Sequence, residues 1–330
     1  MSNDFKKFPK VELHVHLDCC LSFDALKKIN PKISLPTYKE KFIGTNSSNL
    51  KDYIKCADIA LEYMQTKQQL EIVVEDLFNQ LKSDNIIYAE VRFAPLLHLK
   101  KGLNAEEVVK IVSEKTFIES KKSGIEVRLI LCTLRHFNQK ESLQTVELFN
   151  LFSNKNIVGF DLAADEAGYP LDNHLKAFQI ARNSNILCTA HAGEVLGSQS
   201  ILDTLQHLKP QRIGHGVRCI ENDKLKEKIK KENIHLEICL SSNIVTKVFN
   251  SVKDHPVDKL YKYGISLSIN TDGRTISDTD MNKEYALLNK YFNWNKKEFF
   301  ESNIHAINAS FSSTEVKERM IIKLNDYYLK

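Results

Sequence analysis

Two histidines one residue apart, His14 and His16 in VELHVHLD, open a set of residues able to hold a metal ion. Side chains alternate faces along a strand, so residues two apart point the same way and two imidazoles can grip one cation. His191 in HAGE, His215 in IGHGVR and Asp272 in SINTDG extend the set along the chain. A catalytic zinc keeps one coordination position open for water, and His14, His16, His191 and Asp272 suit that arrangement. Imidazole favours zinc over magnesium, with iron, cobalt or nickel as other occupants of a mixed nitrogen and oxygen site. Glu194, three residues after His191, reaches the same pocket as a proton carrier; its plainer role is to cap the helix beginning near GSQSILDTL. His215, between Gly214 and Gly216, can approach a ligand closely and orient or deprotonate a water on the metal; its plainer role is that of a turn residue.

Around this set lie weaker candidates. Asp18 follows the histidine pair by two and shares its inward face, where a carboxylate accepts from a sugar hydroxyl or from a loop amide. Asp165 and Glu166 are adjacent, so on a strand they face opposite ways, which argues against a retaining-glycosidase pair and for ordering a loop. Arg135 and His136 end a strand-like run where they can line the site or serve structure. Cys19 and Cys20 read as small packing residues, with no thiol-activating motif nearby.

These residues need elements to position them. Eight β-branched runs recur: VELHVHL, IIYAEVRFAP, IEVRLILCTLR, IVGFDLAADE, ILCTAHAGE, RIGHGVR, IHLEICLSSN and ISLSINTDG, most separated by stretches of helical periodicity. Alternating strand and helix implies a parallel sheet, and eight apolar strands favour a (β/α)₈ barrel over an open doubly wound sheet. The candidate residues fall at the carboxyl ends of these runs, the end where barrels of this kind carry chemistry. Residues 24–82 form a helical insertion, its first part, 24–49, able to cover the mouth, and residues 281–330 form helices packed outside. No linker or repeat divides residues 1–330, which read as one domain.

Composition excludes several classes. The 330 residues are 42% hydrophobic and 27% charged, with 46 basic residues interspersed among 42 acidic ones and a net charge of +4, which points away from disorder and from nucleic-acid binding. The start, MSNDFKKFPK, carries no apolar signal segment and no run is long enough to span a bilayer. Seven cysteines, an odd number without a CxxC pattern, suggest reduced thiols and a cytoplasmic protein. Oligomeric state is left open.

Taken in order, PKVELHVHLD, DLAADE, HAGE, RIGHGVR and SINTDG resemble the signature segments of the adenosine deaminases in the amidohydrolase superfamily, from residue 9 to about 290. The resemblance implies one zinc ion on His14, His16, His191 and Asp272, with Glu194 donating a proton to purine N1. His215 would assist the attacking water and Asp272 steer it. It places His16, Asp18, Ala164 and Gly273 on the substrate side, with Asp18 on the ribose 5′-hydroxyl. It implies hydrolytic deamination of adenosine, and of 2′-deoxyadenosine, in purine salvage. The sequence departs from the family at Gly273, where many members carry a second aspartate against purine N7, and Arg274 or Ser277 could compensate. It departs again at Ala164, where many carry glycine beside purine N3, and at Cys19 and Cys20, which replace a Gly-containing pair. These changes touch base recognition, so deaminases of adenine, of 6-amino-6-deoxyfutalosine and of N6-substituted AMP are the enzymatic alternatives. A barrel that binds nucleosides without catalysis is the alternative from another class; it would have lost a ligand or the acid, and none is missing.

Overall fold

The structure, a computed structural model, describes residues 4–152 and 156–330; residues 1–3 and 153–155 of the expected single domain lie outside them. Eight parallel strands run in sequence order: β1 (Lys10–His16), β2 (Ile86–Phe93), β3 (Glu126–Leu134), β4 (Ile157–Ala163), β5 (Leu187–Ala192), β6 (Arg212–His215), β7 (His235–Ile238) and β8 (Leu267–Ile269). A bridge between Val15 and Asp272 returns the sheet to β1. The result is the (β/α)₈ barrel expected from the alternating pattern.

The first crossover holds α1 (Phe23–Ile29), α2 (Leu35–Phe42), α3 (Leu50–Leu61) and α4 (Lys67–Ser83). Their N-termini are capped by Ser22, Ser34, Asn49 and Thr66, whose side chains accept orphan helix N–H groups. Later crossovers carry α5 (Ala105–Ser123), α6 (Gln139–Phe152), α7 (Leu175–Asn183), α8 (Ser198–His207), α9 (Asp223–Lys231), α10 (Leu240–Val245) and α11 (Val257–Tyr263). After β8 come α12 (Met281–Phe292), α13 (Lys296–Ala309) and α14 (Thr314–Tyr328). The helix over the mouth is α3, just beyond the 24–49 stretch, because Leu50, Tyr53 and Leu61 give it the apolar face that packs there. The run IHLEICLSSN is strand only to Ile238; its polar end starts α10 instead.

Short β8 cannot pair the whole of β1, and a buried unpaired backbone amide is costly. Two asparagines supply the missing acceptors: Asn270 Oδ1 takes the Leu13 amide at 2.8 Å and Asn303 Oδ1, from α13, takes Val11 at 2.7 Å. Outward strand residues such as Val11, Leu13 and Val15 pack beneath the helices. Inside the barrel, beneath the candidate site, the filling is charged. Arg92 pairs with Asp161 (2.9 Å) and Glu237 (2.6 Å), Arg212 with Glu90 (2.6 Å) and Glu237 (2.7 Å), all buried.

Candidate active site

Barrel closure assembles the ligand set. Asp272 N donates to the His14 carbonyl and His16 N donates to the Asp272 carbonyl, each at 2.9 Å, which fixes three side chains at one seam. The Nε2 atoms of His14 and His16 lie 3.3 Å apart, and those of His16 and His191 3.2 Å apart. Asp272 Oδ1 is 3.4 Å from His14 Nε2 and 3.3 Å from His16 Nε2. These four distances are close to the edge of about 3.35 Å between neighbouring ligands about 2.05 Å from a zinc ion, and all four ligand atoms lie within 4.8 Å of one another, so one cation can touch them all. Gly214 makes room for this convergence: a Cβ there would stand 3.1 Å from His14 Cε1 and 3.2 Å from His191 Cγ.

The buried charges orient the ligands. His14 Nδ1 donates to Glu237 Oε2 at 2.8 Å, and His191 Nδ1 donates to the Leu162 carbonyl at 3.0 Å with Asp161 Oδ1 at 3.3 Å. A proton held on Nδ1 leaves the Nε2 lone pair free for a metal. Burial pushes the Glu237 carboxyl up, yet Arg92 and Arg212 hold it well below the usual range, so it stays an anion. The Asp272 carboxylate is fixed in place by Ser242 Oγ, which donates to its Oδ2 at 2.6 Å.

Glu194 lies beside the cluster, its Oε2 3.6 Å from His215 Nε2 and its Oε1 3.4 Å from Thr246 Oγ1. Burial raises its pKa well above the ordinary value, and the nearby Asp272 and Glu166 raise it further. A carboxyl whose acid form is favoured in this way is suited to donate a proton. It does not cap α8, whose N-cap is Gly197. The loop carrying it is ordered by Glu166, which accepts from the amides of Gly193, Glu194, Val195 and Leu196. Asp165 serves its own turn, accepting from Ala167 and Gly168. Ala164, His215 and Asp272 all sit at strand ends with positive φ, at 79°, 60° and 62°. Such strain in non-glycine residues collects at functional sites.

The family model described as adenosine deaminase matches residues 9–327. The chain belongs to the adenosine deaminase family. An adenosine deaminase of Clostridium botulinum (strain Kyoto / Type A2) is 36% identical over 326 residues, 96% of each chain. Among solved structures, the Arabidopsis N6-mAMP deaminase matches at 26% identity with a TM-score of 0.88, covering 98% of this chain and 99% of that one. An adenine deaminase from Arthrobacter aurescens, at 22% identity and a TM-score of 0.90 over 98% and 99% of the two chains, shares the fold. Membership makes the chain a hydrolytic deaminase with a metal cofactor.

In this member of the adenosine deaminase family the cavity above the cluster is lined by His16, Asp18, Cys19, Tyr53, Leu61 and Ala164 among others, with Asp58 and His136 at its exposed rim. Asp18 is engaged within the fold: its Oδ2 accepts from Ala94 N at 3.0 Å and its Oδ1 lies 2.9 Å from His98 Nε2. Gly273 sits behind Tyr53, and a Cβ there would stand 2.5 Å from Tyr53 Oη and 2.9 Å from Cys19 Cβ. Neither suggested stand-in for an acidic side chain there is free. Arg274 is buried between Glu12 (2.6 Å) and Asp84 (2.7 Å), and Ser277 Oγ is bound to Tyr53 Oη at 2.9 Å. Arg135 lies under the site, its Nη2 donating to the His191 carbonyl at 2.9 Å.

Sequence reasoning missed Tyr53, the orienting pair Glu237 and Asp161, and the polar face of α10, from which Ser242 and Asn243 reach Asp272 and His215. The signal available was the unpaired polarity of LSSN directly after a buried strand. All seven cysteines are free, no helix of the described residues is long and apolar enough to cross a membrane, and burial pushes the Cys19 and Cys20 thiols up, away from reactivity.

Proposed function

We propose that the protein hydrolyses adenosine, and 2′-deoxyadenosine, to inosine or 2′-deoxyinosine and ammonia, with one zinc ion held by His14, His16, His191 and Asp272 and residues 1–330 acting as one deaminase domain. The observation that carries this reading is the convergence of the ligand atoms of His14, His16, His191 and Asp272 within 4.8 Å of one another, with Glu194, a carboxyl whose pKa burial raises, beside them. Bound zinc supplies Lewis acidity that brings a water toward ionisation at neutral pH. Glu194 gives its proton to purine N1, which draws electrons from C6 as an oxygen adds there. Asp272, an anion, steers that oxygen, and His215 assists it from the other side. The exocyclic nitrogen then takes a proton and leaves as ammonia, so one water is consumed for each ammonia released. On the substrate side, Asp18 faces the ribose 5′-hydroxyl and the Ala164 backbone faces N3, with His16 lining the same cavity. With Gly273 the N7 side carries no acidic side chain.

Among the described cavity-lining residues there is no lysine or arginine to receive a phosphate, which favours a nucleoside over an N6-substituted nucleotide. Seven free cysteines support a reducing compartment, the cytoplasm. Metal-replete protein mixed with adenosine should convert it to inosine, followed by ultraviolet absorbance, faster than it deaminates adenine, 6-amino-6-deoxyfutalosine or N6-methyl-AMP. A clear preference for any of these over adenosine rejects the proposal.

A further inference from the structure

Asn243 and His255 take no part in the reaction above, yet they stand behind His215 in a hydrogen-bonded chain whose direction is fixed at one end. That end is a backbone amide: Val257 N, at the start of α11, donates to His255 Nδ1 at 3.2 Å. A peptide N–H can only donate, so His255 Nδ1 carries no proton and the neutral ring carries it on Nε2. His255 Nε2 lies 3.2 Å from Asn243 Oδ1, which accepts it. The reverse amide orientation would set an NH₂ against an N–H in a site where both residues are buried, leaving donors unsatisfied. Asn243 therefore turns Nδ2 toward His215 Nδ1, 3.1 Å away, and donates to it.

His215 Nδ1 is thus an acceptor, and the single proton of the neutral imidazole sits on Nε2. That nitrogen faces Glu194 Oε2 at 3.6 Å, beyond hydrogen-bond reach, so the proton is left for an incoming group. Burial agrees with a neutral His255 ring, pushing its pKa down to about 3. A doubly protonated His255 would also set Nδ1–H against Val257 N–H.

We propose that Asn243 and His255 are positioning residues that hold His215 as its Nε2–H tautomer, so that His215 gives a hydrogen bond to the oxygen entering at the substrate carbon instead of removing its proton. The catalytic part rests on the deaminase reading; the tautomer does not.

The test is nitrogen NMR of the zinc-replete full chain labelled with ¹⁵N-histidine, the His215 signals being those lost in His215→Gln. His215 Nδ1 should resonate as an unprotonated and Nε2 as a protonated ring nitrogen at neutral pH. A wild-type His215 protonated on Nδ1 overturns the proposal whatever the activity, whereas the expected tautomer in a protein inert to adenosine rejects only the deaminase reading. Asn243→Asp offers His215 an acceptor alone. It should move the proton to Nδ1 and lower kcat on the order of 10²-fold with KM changed only a few-fold. An unmoved tautomer or unchanged kcat in that variant overturns the proposal. His255→Phe keeps the ring's bulk but frees the amide to turn, and should show both tautomers; a spectrum identical to wild type counts against the chain.

Discussion

Val15 and Asp272 face each other across the seam of the barrel, the isolated bridge by which β8 returns to β1. The backbone bonds at this bridge also set the separation of His14, His16 and Asp272, so shutting the barrel and forming the metal cluster are one event. Anything that binds only the closed form stabilises it by mass action, by about 4 kcal/mol at a thousandfold excess over Kd. For a chain of this length that is roughly 6 °C in melting temperature. Chelation should therefore lower the calorimetric midpoint by about that much and added zinc should restore it. A midpoint indifferent to verified metal loss would separate closure from metal binding.

Glu194→Gln keeps shape and hydrogen bonds but has no proton to give. Turnover should fall on the order of 10²–10⁴-fold with zinc content unchanged. In the wild type the working form is the protonated carboxyl, whose pKa is raised by burial and then by Asp272 and Glu166. Activity should thus fall as pH rises through that raised value. The alkaline limb of kcat/KM should vanish in the glutamine variant; its persistence would assign the limb to another group.

The barrel was legible because its strands are buried on both faces and read as eight apolar runs, and the ligands because two-residue alternation puts His14 and His16 on one side. What was not legible shares one physical feature. Arg92, Asp161, Arg212 and Glu237 lie within strand runs that pattern alone would fill with apolar residues, and each is tolerable only through partners far away in sequence. Pairing of that kind leaves no local period. Tyr53 was hidden for a different reason: its place over Gly273 depends on how α3 folds back over the mouth.

Glu237→Gln tests that hidden layer. Arg92 and Arg212 lose a buried counter-charge and His14 loses an anionic acceptor. The expected outcome is a stability loss of about 3–5 kcal/mol in denaturant titration. Zinc affinity should fall roughly 10- to 100-fold in competition with a chelator. Unchanged affinity would make the carboxylate a counter-ion for the arginines and nothing more to the metal site.

Gly273→Ala puts a Cβ 2.5 Å from Tyr53 Oη, which must move. Overpacking of this kind costs about 1–3 kcal/mol, and here the shift passes to α3 and the cavity wall. Tyr53→Phe removes the clashing oxygen, so the double variant should recover part of the loss in both stability and KM. Strict additivity in that cycle would mean that the two residues do not meet.

Glu284, buried on α12, supports the site from behind: its Oε2 accepts from Ser241 N at 3.2 Å and its Oε1 from Thr279 Oγ1 at 2.6 Å, next to Ser242 and Asn243. Burial pushes its pKa up to about 7 against an ordinary 4.5, the hydrogen bonds only partly opposing this. Between those two values the unfolded chain has released the proton and the folded one has not. Stability is therefore complete below pH 4.5 and falls by roughly 3 kcal/mol as pH rises to about 7. Glu284→Gln, neutral throughout, should lack that slope and be the more stable protein at pH 8. Parallel stability curves for the two would mean that Glu284 is ionised in the fold, with the α10 platform anchored by a charge instead of a neutral acid.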